Sequence, residues 1–260
     1  MADHTTYGLV CSELSEDLSK TNLGELKLDS FQDNSVQIKI KAASLNFPDL
    51  LMTQGKYQNR PNLPFALGME GAGIVEKVGS GVSSFKEGDE VMFGGWGHGA
   101  IAESIILPEG LVSLKPKSLN FSEAASFKTA YLTAYVGLIR RGELKQGETL
   151  LVHGASGGVG MAAVQMGKLY GAKVIASGTS DEKLKIVKTW GADEIINTGL
   201  EGSVSFREEV KELTDGKGAD VIYDPVGGDV FDESIRCINW GGRLLICLLY
   251  TSDAADEKVR

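Results

Sequence analysis

Short apolar segments that alternate with polar residues run through the first half of the chain. Residues 36–41 carry apolar side chains at every second position, which is the period of a strand with one buried face. Three further segments bounded by glycine or proline are also predicted to be strands, namely residues 73–78, 90–93 and 102–107. Short strands at this spacing predict a small barrel or sandwich.

From about residue 122 the pattern changes to an alternation of helices and strands. Ser122 opens a segment that has the features of an N-capped helix, and apolar residues continue it at helical spacing through Leu138. The strands predicted beyond it are residues 149–153, 173–177, 194–196, 220–224 and 243–246, and the helices are residues 159–170, 180–190 and 206–213. This alternation is typical of an α/β domain with a parallel sheet wrapped by helices.

The change of pattern predicts two domains, residues 1–125 and residues 126–250. The charged segment 251–260 does not continue the alternation of strands and helices. A sheet that stops on a core strand leaves an edge uncovered. We therefore expect either that the chain is a fragment, truncated within its second domain, or that its last segment is not its natural continuation.

Composition and charge narrow the classes of function. The chain has 260 residues, with 26 basic and 35 acidic side chains and a net charge of −9, so no electrostatic footprint for nucleic acid or an anionic membrane is predicted. No apolar run approaches the ~20 residues of a spanning helix. The first residues lack the basic and apolar regions of a signal peptide. We expect a cytoplasmic protein.

The cysteines and histidines offer little for metal chemistry. Cys11, Cys237 and Cys247 are odd in number and far apart, and the chain has no CxxC or HxxxH pattern. A zinc site would need three or four ligands from this short supply. Neither a disulfide framework nor a metal site is predicted.

A glycine-rich segment between a predicted strand and a predicted helix is the strongest functional signal. It comprises Gly154, Gly157, Gly158, Val159 and Gly160. Glycines in this context let the backbone approach a pyrophosphate, while the start of the helix presents free N–H groups and a positive dipole end. The spacing departs by one residue from G-x-G-x-x-G, and the alternative is that the glycines serve only a tight turn.

The end of the next predicted strand favours NADPH over NADH. An NAD site usually has an Asp or Glu there, whereas this chain has Ser177, followed closely by Thr179 and Ser180. Hydroxyl groups together with Lys183, one turn into the next helix, would suit a 2′-phosphate. The alternative is that Lys183 is a solvated side chain paired with Asp181 or Glu182.

Several motifs, in order, then resemble the zinc-independent quinone oxidoreductase (zeta-crystallin-like) branch of the medium-chain dehydrogenase/reductase superfamily. They are the segment N-F-P-D-L-L at 46–51 with G-K-Y at 55–57, L-G-M-E-G-A-G-I-V at 67–75, S-F-K at 126–128 with L-T-A-Y at 132–135, and D-P-V-G-G at 224–228. The resemblance covers residues 8–246. It implies a GroES-like β-barrel catalytic domain followed by a Rossmann domain, with the site in the cleft between them.

The resemblance also implies roles for single residues. Asn46 and Asp49 would lie near the nicotinamide and its ribose, Thr133 near the carboxamide, and Tyr57 in the substrate pocket, so that Asn46 and Tyr57 are the predicted catalytic residues. The glycine loop would contact the pyrophosphate, and Thr179, Ser180 and Lys183 the 2′-phosphate. Zinc-dependent relatives have Cys where this chain has Asn46 and His where it has Met69. Alternatively, Asn46 and Asp49 are a turn pair and Tyr57 is a core aromatic residue.

The function that the resemblance implies is hydride transfer from NADPH to a quinone or an α,β-unsaturated carbonyl. No residue supplies an obvious acid, so protonation from solvent is predicted. An enoyl-thioester reductase and an NADPH-binding protein without turnover are the alternatives. Full-length members of the family are expected to be homodimers. The resemblance implies that the family continues beyond residue 246, and we expect that this chain lacks that continuation.

Overall fold

The computed structural model describes residues 5–95, 98–199 and 206–247. The chain divides into two compact units, the N-terminal unit ending at Thr129 and the C-terminal unit beginning at Ala130. The predicted tail, residues 251–260, lies outside the described residues. No helix in the described ranges is long and apolar enough to cross a membrane.

The N-terminal unit is built from antiparallel strands in two sheets. A three-stranded sheet has the order β2-β1-β4, and a five-stranded sheet has the order β7-β3-β5-β6-β8. The strands are β1 (Thr5–Cys11), β2 (Thr21–Lys27), β3 (Ser35–Ser44), β4 (Phe65–Ala66), β5 (Glu70–Val78), β6 (Glu90–Gly94), β7 (Ser104–Pro108) and β8 (Val112–Leu114). The four strands predicted in this half are confirmed.

The alternating pattern of β3 places its apolar side chains in the core. Val36 and Ile38 are fully buried, and they pack in one cluster with Val75, Val91 and Phe93 from the neighbouring strands. At Gly73 a Cβ atom would lie 2.2 Å from the carbonyl oxygen of Lys39. Glycine therefore allows β3 and β5 to approach closely.

Two short helices complete the N-terminal unit, and α3 crosses its boundary. The helices are α1 (Phe47–Thr53), α2 (Phe121–Ala125) and α3 (Lys128–Tyr135). The prediction that Ser122 caps α2 is wrong. The cap is Asn120, whose Oδ1 accepts the Glu123 N–H at 2.9 Å while Glu123 Oε2 accepts the Asn120 N–H at 2.8 Å. This reciprocal pair is a capping box.

The C-terminal unit contains a five-stranded parallel sheet in the order β11-β10-β9-β12-β13. The strands are β9 (Thr149–Val152), β10 (Lys173–Gly178), β11 (Glu194–Asn197), β12 (Ala219–Asp224) and β13 (Ile238–Ile246), and the helices are α4 (Gly158–Leu169), α5 (Asp181–Thr189), α6 (Arg207–Leu213) and α7 (Asp229–Ile235). The predicted parallel α/β architecture is confirmed. The strand order reverses between β9 and β12, the position at which such sheets bind ligands.

A salt bridge anchors the edge strand β13. The Arg243 guanidinium donates to both carboxylate oxygens of Glu148, at 2.9 and 2.7 Å, and to the Gly142 carbonyl oxygen at 2.7 Å. Because the pair is bidentate, it fixes geometry as well as charge. It ties β13 to the turn that precedes β9.

His153 follows β9 directly, and its buried side chain contacts two serine side chains. Its Nδ1 lies 2.6 Å from Ser177 Oγ and its Nε2 lies 2.9 Å from Ser234 Oγ. Ser234 Oγ donates its hydrogen to the Val230 carbonyl oxygen, so it accepts from His153 Nε2–H, and Nδ1 accepts from Ser177. Burial lowers the pKa of His153, although the negative charge of Asp224 opposes that shift. The ring is therefore neutral at physiological pH.

We predict that the C-terminal unit loses stability as the pH falls below about 6.5. In that range His153 binds a proton in the unfolded chain, whereas the buried ring, with its lowered pKa, stays neutral in the folded protein. A His153→Asn variant should be less stable at pH 7 by about 1–3 kcal/mol, because buried hydrogen bonds are lost. The difference in the free energy of unfolding between the unmodified protein and the variant should then narrow as the pH falls from 6.5 to 5. Urea unfolding followed by circular dichroism measures both curves. Parallel curves would contradict the neutral-ring assignment.

Candidate functional site

The glycine loop of the C-terminal unit joins β9 to α4. Gly154 adopts φ +55°, in the left-handed region that favours glycine, and the Ala155 N–H donates to the Ser177 carbonyl oxygen at 3.0 Å. At Gly160 a Cβ atom would lie 2.4 Å from the Gly154 carbonyl oxygen. The first turn of α4 therefore packs against the loop backbone only because residue 160 has no side chain.

The start of α4 is open on its outer side. Gly157 is the N-cap residue, and a Cβ atom added to Gly158 would meet no atom within 4 Å. The helical hydrogen bonds begin with Met161 N–H, which donates to the Gly157 carbonyl oxygen at 2.8 Å. The N–H groups of the first turn therefore have no partner within the helix, and they carry its positive dipole end. This is the geometry that an anionic group such as a phosphate requires.

The turn between β10 and α5 contains the residues predicted for a 2′-phosphate. Thr179 is exposed, Ser180 is the N-cap of α5 and Lys183 is exposed on its first turn; Ser180 Oγ accepts the Lys183 N–H at 3.4 Å. Ser177, which occupies the position of the usual carboxylate of an NAD site, does not belong to this group. Its side chain is buried against His153, because a residue inside a strand points to one face of the sheet.

The turn after β12 lies beside the glycine loop. Asp224 Oδ1 accepts the N–H groups of Val226 and Gly227, at 2.8 and 2.9 Å. At Gly154 a Cβ atom would lie 3.2 Å from Val226 Cγ2 and 3.6 Å from Pro225 Cγ. The fold thus brings together the glycine loop and the D-P-V-G-G motif at the reversal of strand order.

Thr133 lies half-buried in α3. Two residues earlier on the same helix, the Tyr131 hydroxyl donates to Gln165 Oε1 on α4. This bond ties α3 to the helix that begins at the glycine loop. The role of Thr133 toward a carboxamide stays a prediction.

Asn46 and Asp49 form a reciprocal pair at the start of α1 in the N-terminal unit. Asp49 Oδ2 accepts the Asn46 N–H at 2.7 Å, and the Asp49 N–H donates to the Asn46 carbonyl oxygen at 3.0 Å. The second carboxylate oxygen of Asp49 accepts the Gly68 N–H at 3.1 Å. The carboxylate is buried, and it holds the start of α1 against the turn that leads into β5.

Glu70 extends this pair into a buried polar cluster. Its Oε1 accepts from Asn46 Nδ2 at 3.0 Å and its Oε2 accepts the Thr129 N–H at 2.8 Å. Glu70 lies in one of the motifs that carry the resemblance, at 67–75, and the sequence alone predicts no role for it. A carboxylate inside an otherwise apolar strand segment, E-G-A-G-I-V, is the signal that could have singled it out. Glu70 orients the Asn46 side chain.

The pKa of Asp49 is raised to about 6, chiefly by burial and to a smaller extent by the negative charge of Glu70, while the backbone N–H groups of Asn46 and Gly68 oppose the rise. Two acidic residues in one buried cluster repel each other when both are ionised. The Asp49 carboxyl group therefore holds its proton more tightly than an ordinary aspartate does.

Tyr57 lies in an apolar environment, unlike the polar cluster around Glu70. It is half-buried and packs against the apolar cluster of Cys11, Met52, Phe65 and Leu67. This packing is what the core-aromatic alternative expects. A role for Tyr57 in binding substrate stays a prediction.

Two protein families match separate parts of the chain. Residues 32–117 match the family described as alcohol dehydrogenase GroES-like domain, and residues 158–256 match the family described as zinc-binding dehydrogenase. The matches agree with the antiparallel unit followed by the parallel-sheet unit. They confirm the predicted GroES-like and Rossmann fold class.

The residues of this chain do not fit the zinc ion that the second family's description implies. The Asn46 amide donates to Glu70, where a metal ligand would have to present a lone pair, and Met69 packs into the apolar cluster around Phe65. Within the described ranges, no group of three or more His, Cys, Asp or Glu residues could hold a metal ion. No step of the chemistry is assigned to zinc.

We predict that the Asp49 carboxyl carbon titrates with a midpoint near pH 6 in ¹³C NMR spectra, and that Glu70→Gln lowers this midpoint by removing the neighbouring charge. Because the folded pKa is raised, the Asp49 contribution to stability should fall by about 3 kcal/mol as the pH rises from 4 to 7. The direction of this change is tested by comparing the free energy of unfolding of the unmodified protein with that of Asp49→Asn at each pH. The exposed Glu76 on the same strand supplies a control, Glu76→Gln. A midpoint near 4 in the unmodified protein would contradict the assignment.

Individual relatives share both sequence and fold with this chain. It is 38% identical over 238 residues to the quinone oxidoreductase-like protein 2 homologue of Nematostella vectensis, covering 91% of this chain and 64% of that protein. The quinone oxidoreductase of Pseudomonas syringae pv. tomato is 35% identical with a TM-score of 0.83, covering 92% of this chain and 72% of the other. The CurK enoyl reductase is 30% identical with a TM-score of 0.83, covering 93% and 73%.

These relatives, the two family matches and the two units of the fold agree with one another. The chain spans about two thirds of the length of these relatives. It belongs to the quinone oxidoreductase-like proteins of the medium-chain dehydrogenase/reductase superfamily.

Proposed function

We propose that this protein is an NADPH-dependent reductase that reduces a quinone or an α,β-unsaturated carbonyl compound without zinc. The observation that carries the proposal is the open first turn of α4, where Gly158 faces free space at the reversal of strand order. Because the chain covers 64% of the Nematostella relative, the activity of the whole protein is part of the proposal.

The C-terminal unit would hold the dinucleotide at three places. The backbone of Gly157, Gly158 and Val159 would contact the pyrophosphate, since these residues lie at the positive end of a 12-residue helix. The N–H groups of Gly158 and Val159 would donate to it, whereas the Gly157 N–H donates to the Gly154 carbonyl oxygen at 2.9 Å. Gly154 and Gly160 would shape the loop, because each sits where a side chain is strained or blocked. When bound, the nicotinamide supplies the hydride.

The preference for NADPH rests on the turn after β10. That turn has no carboxylate at the end of the strand to accept a ribose 2′-hydroxyl, and β10 ends at Gly178. The Thr179 and Ser180 hydroxyls and the Lys183 ammonium group would bind a 2′-phosphate through charge-assisted hydrogen bonds.

The N-terminal unit would contribute polar groups and a pocket wall. We assign Asn46, oriented by Glu70, and Asp49 to the nicotinamide and its ribose, and Tyr57 to the acceptor, as the family resemblance implies. Thr133 is assigned to the carboxamide on the same ground. No acid is assigned, so the proton that accompanies the hydride comes from solvent. A cytoplasmic location and a homodimer remain predictions.

An enoyl-thioester reductase is the second candidate, and the likeness to the CurK enoyl reductase favours it. Both reactions use the same donor, so only the acceptor separates them. Crotonyl-coenzyme A and 1,4-benzoquinone, tested side by side, distinguish the two. An NADPH-binding protein without turnover is the third candidate.

The test of the function is fluorescence titration with NADPH and with NADH, together with oxidation of each in the presence of 1,4-benzoquinone. We expect tighter binding of NADPH and oxidation that depends on the quinone. Binding without oxidation by either acceptor would support an NADPH-binding protein without turnover and would contradict the proposal of a reductase. Binding of neither nucleotide would refute the whole proposal.

Two glycines of the loop provide a matched pair of variants. Gly158→Ala should leave the melting temperature unchanged or slightly raised, because the methyl group meets no atom and alanine favours a helix. It should weaken NADPH binding by roughly tenfold or more, since the methyl group occupies the space proposed for the pyrophosphate. Gly160→Ala should instead destabilise the C-terminal unit, by about 2–4 kcal/mol, because its Cβ would meet the Gly154 carbonyl oxygen.

Thermal unfolding and fluorescence titration measure both effects. A Gly158→Ala protein that binds NADPH as tightly as the unmodified protein would contradict the proposed position of the pyrophosphate. A Gly160→Ala protein with unchanged stability would contradict the packing of α4 on the loop.

A further inference from the structure

A network of hydrogen bonds joins the loop after β11 to the turn after β10. The Thr198 N–H donates to the Gly178 carbonyl oxygen at 2.8 Å. A Cβ atom at Gly199 would lie 2.5 Å from the Thr179 carbonyl oxygen. The two backbones are therefore packed directly on each other, beside the residues proposed to bind the 2′-phosphate.

Asn197 is held at both ends of its side-chain amide. Its Oδ1 accepts the Gly199 N–H at 2.8 Å, and its Nδ2 donates to Asp181 Oδ1 at 2.7 Å. Because a backbone N–H can only donate, the oxygen of the amide must face Gly199 and its nitrogen must face Asp181. The Asp181 carboxylate is thus bound by Asn197, whereas one alternative from the sequence paired it with Lys183.

Asp181 matters because it is an anion in the first turn of α5, next to Ser180 and two residues before Lys183. A carboxylate near the end of the second strand of such a domain accepts the ribose 2′-hydroxyl of NADH and repels the 2′-phosphate of NADPH. Asp181 has the chemistry to do this if its side chain is released. Asn197 engages one of its two oxygens.

We propose that Asn197 is a specificity-determining residue, which favours NADPH over NADH by holding the Asp181 carboxylate away from the ribose 2′ position. The inference rests on the proposed function, since it assumes that this unit binds a nicotinamide dinucleotide. It assigns to Asn197 a positioning role that acts through Asp181, with no contact of its own to the cofactor required.

The experiment is a double-mutant cycle on the full chain, comparing the unmodified protein, Asn197→Ala, Asp181→Asn and the double variant. The dissociation constants for NADPH and NADH are measured by fluorescence titration. Asn197→Ala should lower the affinity for NADPH relative to NADH by about threefold to tenfold, because the released carboxylate repels the 2′-phosphate. Asp181→Asn should raise that ratio, and the double variant should match Asp181→Asn.

The pair Asn239 and Asp220 supplies the matched control. Asn239 Nδ2 donates to Asp220 Oδ1 at 2.6 Å near the start of β12, at the opposite end of that strand from Asp224. Asn239→Ala removes the same kind of bond and should leave the NADPH-to-NADH ratio unchanged. A loss of stability alone would weaken both nucleotides alike.

The outcomes separate the two proposals. If the unmodified protein binds both nucleotides and Asn197→Ala changes their affinities by the same factor, the role of Asn197 is refuted and the proposed function stands. An effect of Asn197→Ala that persists in the Asp181→Asn background would also refute it, because the action would not pass through Asp181. If neither nucleotide binds, the proposed function fails and the inference falls with it.

Discussion

The close approach of Gly160 to the carbonyl oxygen of Gly154 is the constraint on which the C-terminal unit depends. It sets the start of α4 directly behind the loop, so that the free N–H groups of the first turn face outward. The turn after β12 packs on the same loop through Val226. A helix that began farther from the loop would keep its dipole and lose the concave backbone that suits a phosphate.

Each unit also contains a buried polar cluster, and the contributions of the two clusters to stability change in opposite directions with pH. In the C-terminal unit, neutral His153 bridges two serines and is disfavoured in acid. In the N-terminal unit, the Asp49 carboxyl group is buried with a raised pKa, so acid favours its buried state. Polar groups in such positions must be fully paired, which explains the number of backbone N–H groups around Asp49.

The sequence predicted the parallel sheet well, because buried parallel strands are continuous apolar runs and the helices between them are periodic. It missed β1, β2, β4, β8, α1 and α7. β2 exposes both of its faces, and α1 and α7 have seven residues each, too few for a clear helical period. The polar cluster around Glu70 and the Asn197–Asp181 pair depend on contacts between residues 24 and 16 positions apart, which local patterns do not contain.

The proposed function rests on binding of the dinucleotide at the open first turn of α4, and ¹⁵N NMR spectra recorded during a titration with NADPH measure that binding residue by residue. The largest shifts should fall on the amides of Gly158 and Val159, which have no partner within the helix, and amides of the core of the N-terminal unit such as Val36 and Ile38 should not move. Saturation with NADPH that left the amides of Gly158 and Val159 unshifted would show that the dinucleotide does not bind at the start of α4.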